Sequence, residues 1–123
     1  GQGRHGAEFH YRTVHTEVLG WVLRRASGQS TAELIAERLW RKLGAEQDAY
    51  LLVDPAGAEW AGAGMNATLR DLARFGEMLR LDGYFNGQQI VAREVLTAIR
   101  QGADREAFKA AGRTWQEGYS YRN

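Results

Sequence analysis

Apolar residues recur at helical spacing from the first quarter of the chain onward. Val14, Val18 and Val22 form one row, and Leu19, Leu23 and Ala26 the next. Rows three and four residues apart predict an amphipathic helix. Thr13 is the expected cap at its start, and Gly28 is placed to end it in the left-handed conformation. Arg24 and Arg25 fall in the last turn, where the helix dipole favours cations. Ser30-Thr31-Ala32-Glu33 has the spacing of a capping box, so a second helix is expected there. Its stripe is Leu34, Ile35, Leu39 and Leu43, with Gly44 as its stop. A linker this short between two apolar-striped helices predicts that the pair packs together, antiparallel or at an angle.

The period then changes. Ala49 to Val53 is rich in strand formers. Asp54-Pro55-Ala56-Gly57 has turn chemistry, with proline and glycine suitably placed. Ala58-Glu59-Trp60-Ala61 is expected to pair back as a hairpin. Gly62-Ala63-Gly64 follows as a loop of small residues, which lets backbone come close to a ligand or another segment. Thr68 opens a third helix that runs to about Leu81 on Leu69, Leu72, Gly76 and Leu79, and Asp82-Gly83 ends it. Asn86-Gly87 is a strong tight-turn signal between two short extended pieces. Val91 to Gln101 predicts a fourth helix on Val95, Leu96 and Ile99, and Asp104 to Ala111 a last short helical turn. The chain contains no internal repeat, low-complexity tract or domain linker. The expected fold class is therefore mainly α with one or two small β-hairpins, a single helical unit over residues 1–123.

Composition narrows the functional classes. The apolar fraction of 44% over 123 residues suits a globular unit with a modest core and argues against disorder. A net charge of +1, with both signs interspersed, gives no electrostatic footprint for nucleic acid. No apolar run approaches the roughly 20 residues of a membrane-spanning helix. The expected partners therefore include neither nucleic acid nor membrane. The absence of cysteine excludes disulfides and thiolate metal sites, and it fits a reducing compartment such as the cytoplasm.

The chain offers little standard catalytic machinery. His5, His10 and His15 are five residues apart, which is not the i, i+4 spacing of a helical zinc pair, and no metal or other cofactor is expected. His15, in the first turn of the predicted helix, is placed either to sit at the surface or to border a cleft. Gly62-Ala63-Gly64 lacks the Gly-Lys-Ser/Thr end of a phosphate loop. Gly-x-Ser-x-Gly is absent. Ser27 and Ser30 are accounted for by a helix stop and a helix cap. Asn66 has two readings: an amide able to donate to and accept from an amide substrate, or a loop residue bonding its own backbone. Trp21, Trp40, Trp60 and Trp115 read as core or rim packing, since no basic stripe accompanies them. Tyr121-Arg122-Asn123 has no helix after it, and its tyrosine reads as a sheet or core residue.

Tyr11 carries the most information. It stands two residues before the expected cap Thr13. Taken with Val18-Leu19-Gly20-Trp21-Val22-Leu23, Leu39-Trp40, Leu43-Gly44 and Asp71-Leu72-Ala73-Arg74-Phe75-Gly76, in that order and spacing, it resembles the serine hydrolases of the β-lactamase and penicillin-binding type. Within that family the likeness is to the 6-aminohexanoate-dimer hydrolase and esterase branch. The resemblance implies a helical subdomain of an α/β β-lactamase-like serine hydrolase. In that family a serine from a Ser-x-x-Lys motif attacks an amide or ester carbonyl, and an acyl-enzyme is then hydrolysed. Ser-x-x-Lys occurs nowhere in these residues. The chain is therefore expected to be the middle of an enzyme, inactive alone, with the remainder of the α/β domain as its partner and a small amide or ester as substrate. The opening Gly1 to Gly6 reads as a mid-protein loop and Tyr119 to Asn123 as a strand-like run. A serine nucleophile needs a base beside it, and the resemblance gives that role to Tyr11. Without it, Tyr11 reads as an aromatic staple under the helix. The family pattern has Asn or Ser two positions after the tyrosine. Thr13 keeps the hydroxyl and loses the amide, which favours the esterase and amidase branch. The resemblance also sets the loop of Asn66 near the substrate cleft, and closeness to Tyr11 makes His15 a second candidate to border it. A non-catalytic helical binding module on the same scaffold is the alternative it leaves.

Overall fold

The structure is a computed structural model that describes residues 9–102 and 104–112. Helix dominates, with two short antiparallel strand pairs. The elements are α1 (Thr13–Ser27), α2 (Thr31–Ile35), a π-helical turn (Ala36–Trp40), α3 (Arg41–Leu43), β1 (Tyr50–Leu51), β2 (Met65–Asn66), α4 (Leu69–Arg80), β3 (Tyr84–Phe85), β4 (Gln88–Gln89), α5 (Arg93–Gln101) and α6 (Arg105–Ala110). They fall into two compact units, residues 12–93 and residues 1–11 with 94–123.

In the larger unit the core is built around Trp40, Leu43 and Met78. Leu39, Ala45, Ala49, Phe75, Leu79, Phe85 and Ile90 pack around them. The capping box forms as its spacing requires: Ser30 Oγ accepts from the Glu33 amide, and the Glu33 carboxylate accepts from the Ser30 amide. The helix so started does not stay regular. The Arg41 amide donates to Ala36 O, five residues back, so the chain widens into a π turn before Gly44 closes it in the left-handed conformation. The Trp40 indole N–H is satisfied by Gln47 O at 2.9 Å.

The hairpin differs from expectation in its partner. Its turn is made as expected, with Asp54 Oδ1 accepting from the Ala56 and Ala58 amides, each at 2.8 Å. The returning Ala58–Ala61 segment pairs with the strand through the isolated Val53–Glu59 bridge, made by the Trp60 amide donating to Leu52 O and the Asp54 amide donating to Ala58 O. Regular pairing goes instead to β2, with Tyr50 opposite Asn66 and Leu51 opposite Met65. The small Gly64 permits this: its φ is +109°, and a Cβ there would lie 3.0 Å from the Leu52 Cβ.

The α4 stripe is also rotated from expectation. Leu69 and Leu72 are exposed, and Gly76 meets nothing. The inward row is Asp71, Phe75, Met78 and Leu79. A buried carboxylate on the core side is what turns the helix. Asp71 is wholly buried, and its oxygens accept from the Glu46 amide at 2.9 Å, the Gln47 amide at 3.3 Å, Thr68 Oγ1 at 2.7 Å and Arg74 Nη1 at 2.8 Å. Thr68 Oγ1 in turn caps α4 by accepting from the Asp71 amide. Arg74 also pairs with Glu46. The segment after α4 ends at Gly83, where a Cβ would fall 2.0 Å from Val91 O, so the left-handed glycine is demanded twice, by φ and by the passing backbone. Asn86 and Gly87, both at positive φ, make the tight turn between β3 and β4, as their chemistry predicts.

In the smaller unit Leu96 of α5 and Phe108 of α6 are buried, and Phe9 packs its ring 4.9 Å from that of Phe108. The fourth helix begins at Arg93, two residues later than its periodicity suggests, and Val95 and Ile99 stay exposed. Asp104 caps α6 through the Glu106 and Ala107 amides. Trp115 and the run Tyr119–Asn123 lie outside the described residues.

Two outcomes follow for stability. Met78→Ala removes a side chain with no exposure and should cost about 2–5 kcal/mol in urea melts. The Glu46 amide, then the Thr68 hydroxyl, the Gln47 amide and the Arg74 charge hold the Asp71 carboxyl below its ordinary value, against the opposing effect of burial. A depressed folded pKa stabilises the fold above the unfolded value of about 3.9, and the gain is lost as pH falls through the folded value. Melts from pH 6 to pH 2 should therefore show a weaker acid dependence in Asp71→Asn than in the parent sequence.

Candidate functional site

Tyr11 lies in the extended segment leading to α1, with about half of its surface, 54%, exposed. Arg12, not Thr13, is the residue before the first helical position, with φ −144° and ψ 107° and no side-chain cap. Thr13 is already helical. The expected cap fails because the chain enters α1 one residue early, which moves the Thr13 hydroxyl past the position from which it could cap. The first turn of α1 has no acidic residue either. Gly28 and the two terminal arginines close the helix as its sequence predicts.

The loop between Ala58 and Gly64 is fastened to α1. The Glu17 carboxylate accepts from the Ala61 and Gly62 amides, both at 3.0 Å. The approach is close enough that a Cβ on Gly20 would lie 2.6 Å from the Ala61 Cβ, and one on Gly62 would lie 2.9 Å from Glu17 Oε1. Gly20 is the one residue of α1 that is fully buried, and its missing side chain is the space the loop occupies. The far end of the same loop is tied to α2: Glu59 accepts from the Thr31 amide at 2.7 Å and the Ala32 amide at 3.3 Å, at the N-terminus of that helix.

Between helix and loop lies an open cleft of about 290 Å³ lined by Thr13, Glu17, Trp21, Asp54, Ala58, Glu59 and Trp60. Its three carboxylates are each engaged by a pair of backbone amides. They hold backbone in place. Thr13, Glu17 and Trp21 stand at i, i+4 and i+8, a spacing that puts them on one face and that could have flagged the cleft from sequence.

His15 is exposed in the first turn of α1, and neither it nor Asn66 lines this cleft. At about 100° per residue it points to nearly the opposite side of the helix from Thr13. Asn66 is half-buried on β2. Its Nδ2 donates to Gly64 O at 2.9 Å, which is the local backbone bond allowed for at the sequence level. No hydrogen bond reaches its Oδ1 from the described residues. Tyr11 belongs to the smaller unit, and His15 and Asn66 to the larger. Among the described residues no group of three histidines, cysteines or acids is placed to hold a metal ion, and no helix is long and apolar enough to cross a membrane.

This mainly helical arrangement with two small strand pairs matches part of a β-lactamase-like fold. The family model for beta-lactamase matches residues 2–122, and the chain belongs to that family. It is 37% identical over 107 residues to a 6-aminohexanoate-dimer hydrolase of Paenarthrobacter ureafaciens, a match that takes in 87% of this chain and 27% of that protein. A solved structure, a putative 6-aminohexanoate-dimer hydrolase from Bacillus anthracis, matches with a TM-score of 0.82 and 38% identity over 96% of this chain and 29% of its own. The chain thus spans a little over a quarter of the length of these relatives.

The clamp gives a direct test. Glu17→Ala leaves two loop amides without their charged acceptor and should cost about 1–3 kcal/mol. Hydrogen exchange should quicken first at Ala61 and Gly62. Glu17→Gln, which keeps a carbonyl acceptor, should fall between.

Proposed function

We propose that this chain works as the helical segment of a longer serine hydrolase that cleaves a small amide or ester through an acyl-enzyme. The observation that carries the reading is the family match over residues 2–122, supported by the relatives' shared name. The nucleophile is a serine of a Ser-x-x-Lys motif from polypeptide outside these residues. Its oxygen bonds to the substrate carbonyl carbon, and the amine or alcohol leaves with a proton. Water then opens the acyl ester and releases the carboxylic acid. Tyr11 is the proton carrier: it accepts the serine proton and returns one to the leaving group. Its half-exposed position ahead of α1 supports that role. Asn66 and His15 border the substrate, and the uncommitted Asn66 Oδ1 is suited to accept from an amide N–H. A linear amide such as the 6-aminohexanoate dimer named in the relatives is the first substrate to try.

Tyr11→Phe in the longer polypeptide tests the assignment. The ring is kept and the proton carrier is lost, so kcat should fall about 10²–10⁴-fold with little change in KM or melting temperature. A kcat within about threefold of normal would leave Tyr11 as a packing residue, whereas a longer polypeptide with no turnover before any substitution would favour a non-catalytic binding module.

A further inference from the structure

α1 is built inside out. The residues it turns toward the rest of its unit are Thr13, Glu17 and Gly20, which meet the loop at Ala61 and Gly62. At about 100° per residue, the centre of its apolar half, formed by Val14, Val18, Leu19, Val22 and Leu23, lies roughly opposite that row. These five side chains are 44–57% exposed, and none of the core residues of the unit lies on this helix. An ordinary surface helix does the reverse, facing its apolar stripe to the core and its polar row to water. A contiguous apolar face of this kind marks an interaction surface.

We infer that the outer face of α1 beyond His15, from Val18 to Leu23, is an interface buried against polypeptide of the same molecule that lies outside these 123 residues. This rests on the reading above that the segment acts within a longer chain. Two observations select that occupant. The chain superposes on the Bacillus anthracis relative over 96% of its length yet accounts for only 29% of that protein, so a much larger body must rest on this segment in a fold of that kind. The inner side of α1 is already filled by the loop, with Gly20 leaving no room for more, so the apolar side is the one open to it. The occupant must offer a complementary apolar surface, since Val18, Leu19, Val22 and Leu23 present no charge to pair.

The test places the photo-crosslinker benzoylphenylalanine at Leu19 in the longer polypeptide, and adducts are mapped by mass spectrometry. The expected result is intramolecular adducts to residues outside the 123. Adducts only within the 123 residues overturn the inference, as does an unreacted probe. Adducts between isotopically distinct copies overturn it in favour of a dimer. Leu19→Asp is the second measurement. It should lower the melting temperature by several degrees, and an unchanged melting temperature counts against a buried face. Neither readout uses turnover, so a failed Tyr11→Phe prediction leaves this one standing, and the reverse.

Discussion

The larger unit hangs on the burial of one carboxylate. Asp71 has no exposed surface and reaches three parts of the chain at once: the amides of Glu46 and Gln47 after α3, the Thr68 hydroxyl at the start of α4, and Arg74 one turn on. Burying a charge is costly unless each of its acceptor sites is used. Here they are used, and none of the described buried side-chain polar atoms lacks a partner. The geometry that satisfies Asp71 fixes the rotation of α4, and so it is Phe75, Met78 and Leu79 that reach Trp40 and Leu43. It also fixes the path of residues 44–48, and through it the entry into β1.

Acidic side chains serve as backbone anchors throughout the unit. Glu17 and Glu59 tie one loop to α1 and to the start of α2, Asp54 shapes the turn between them, and Glu33 completes the α2 cap. Each replaces water at amides that no strand or helix would otherwise satisfy. The cleft beside the loop is therefore lined by carboxylates that each accept from two backbone amides.

Much of the architecture was legible from local chemistry. The Ser30–Glu33 box, the Gly28 and Gly44 stops, the Thr68 cap, the Asp54 turn and the Asn86-Gly87 turn each depend on residues within four positions of one another. Their chemistry is set mainly by residues close along the chain. The family resemblance was legible for a related reason, since it rests on the order and spacing of such short segments around Tyr11. The site was less so. Thr13, Glu17 and Trp21 share a helix face in the sequence, but nothing local says that the loop at Ala61 will close over them.

What the sequence determined by itself was where most elements start and stop, the starts of α1 and α5 excepted, because capping and turn formation are short-range. What the tertiary structure decided was which face of each helix is inside and which strand pairs with which. The α4 stripe turned to bury Asp71, the strand after α3 chose Met65–Asn66 over the nearer Ala58–Ala61, and α1 kept its apolar half outward. Periodicity reports only that a helix has two unlike faces. Which of them is buried depends on what else is present to cover it, and that lies in contacts distant along the chain.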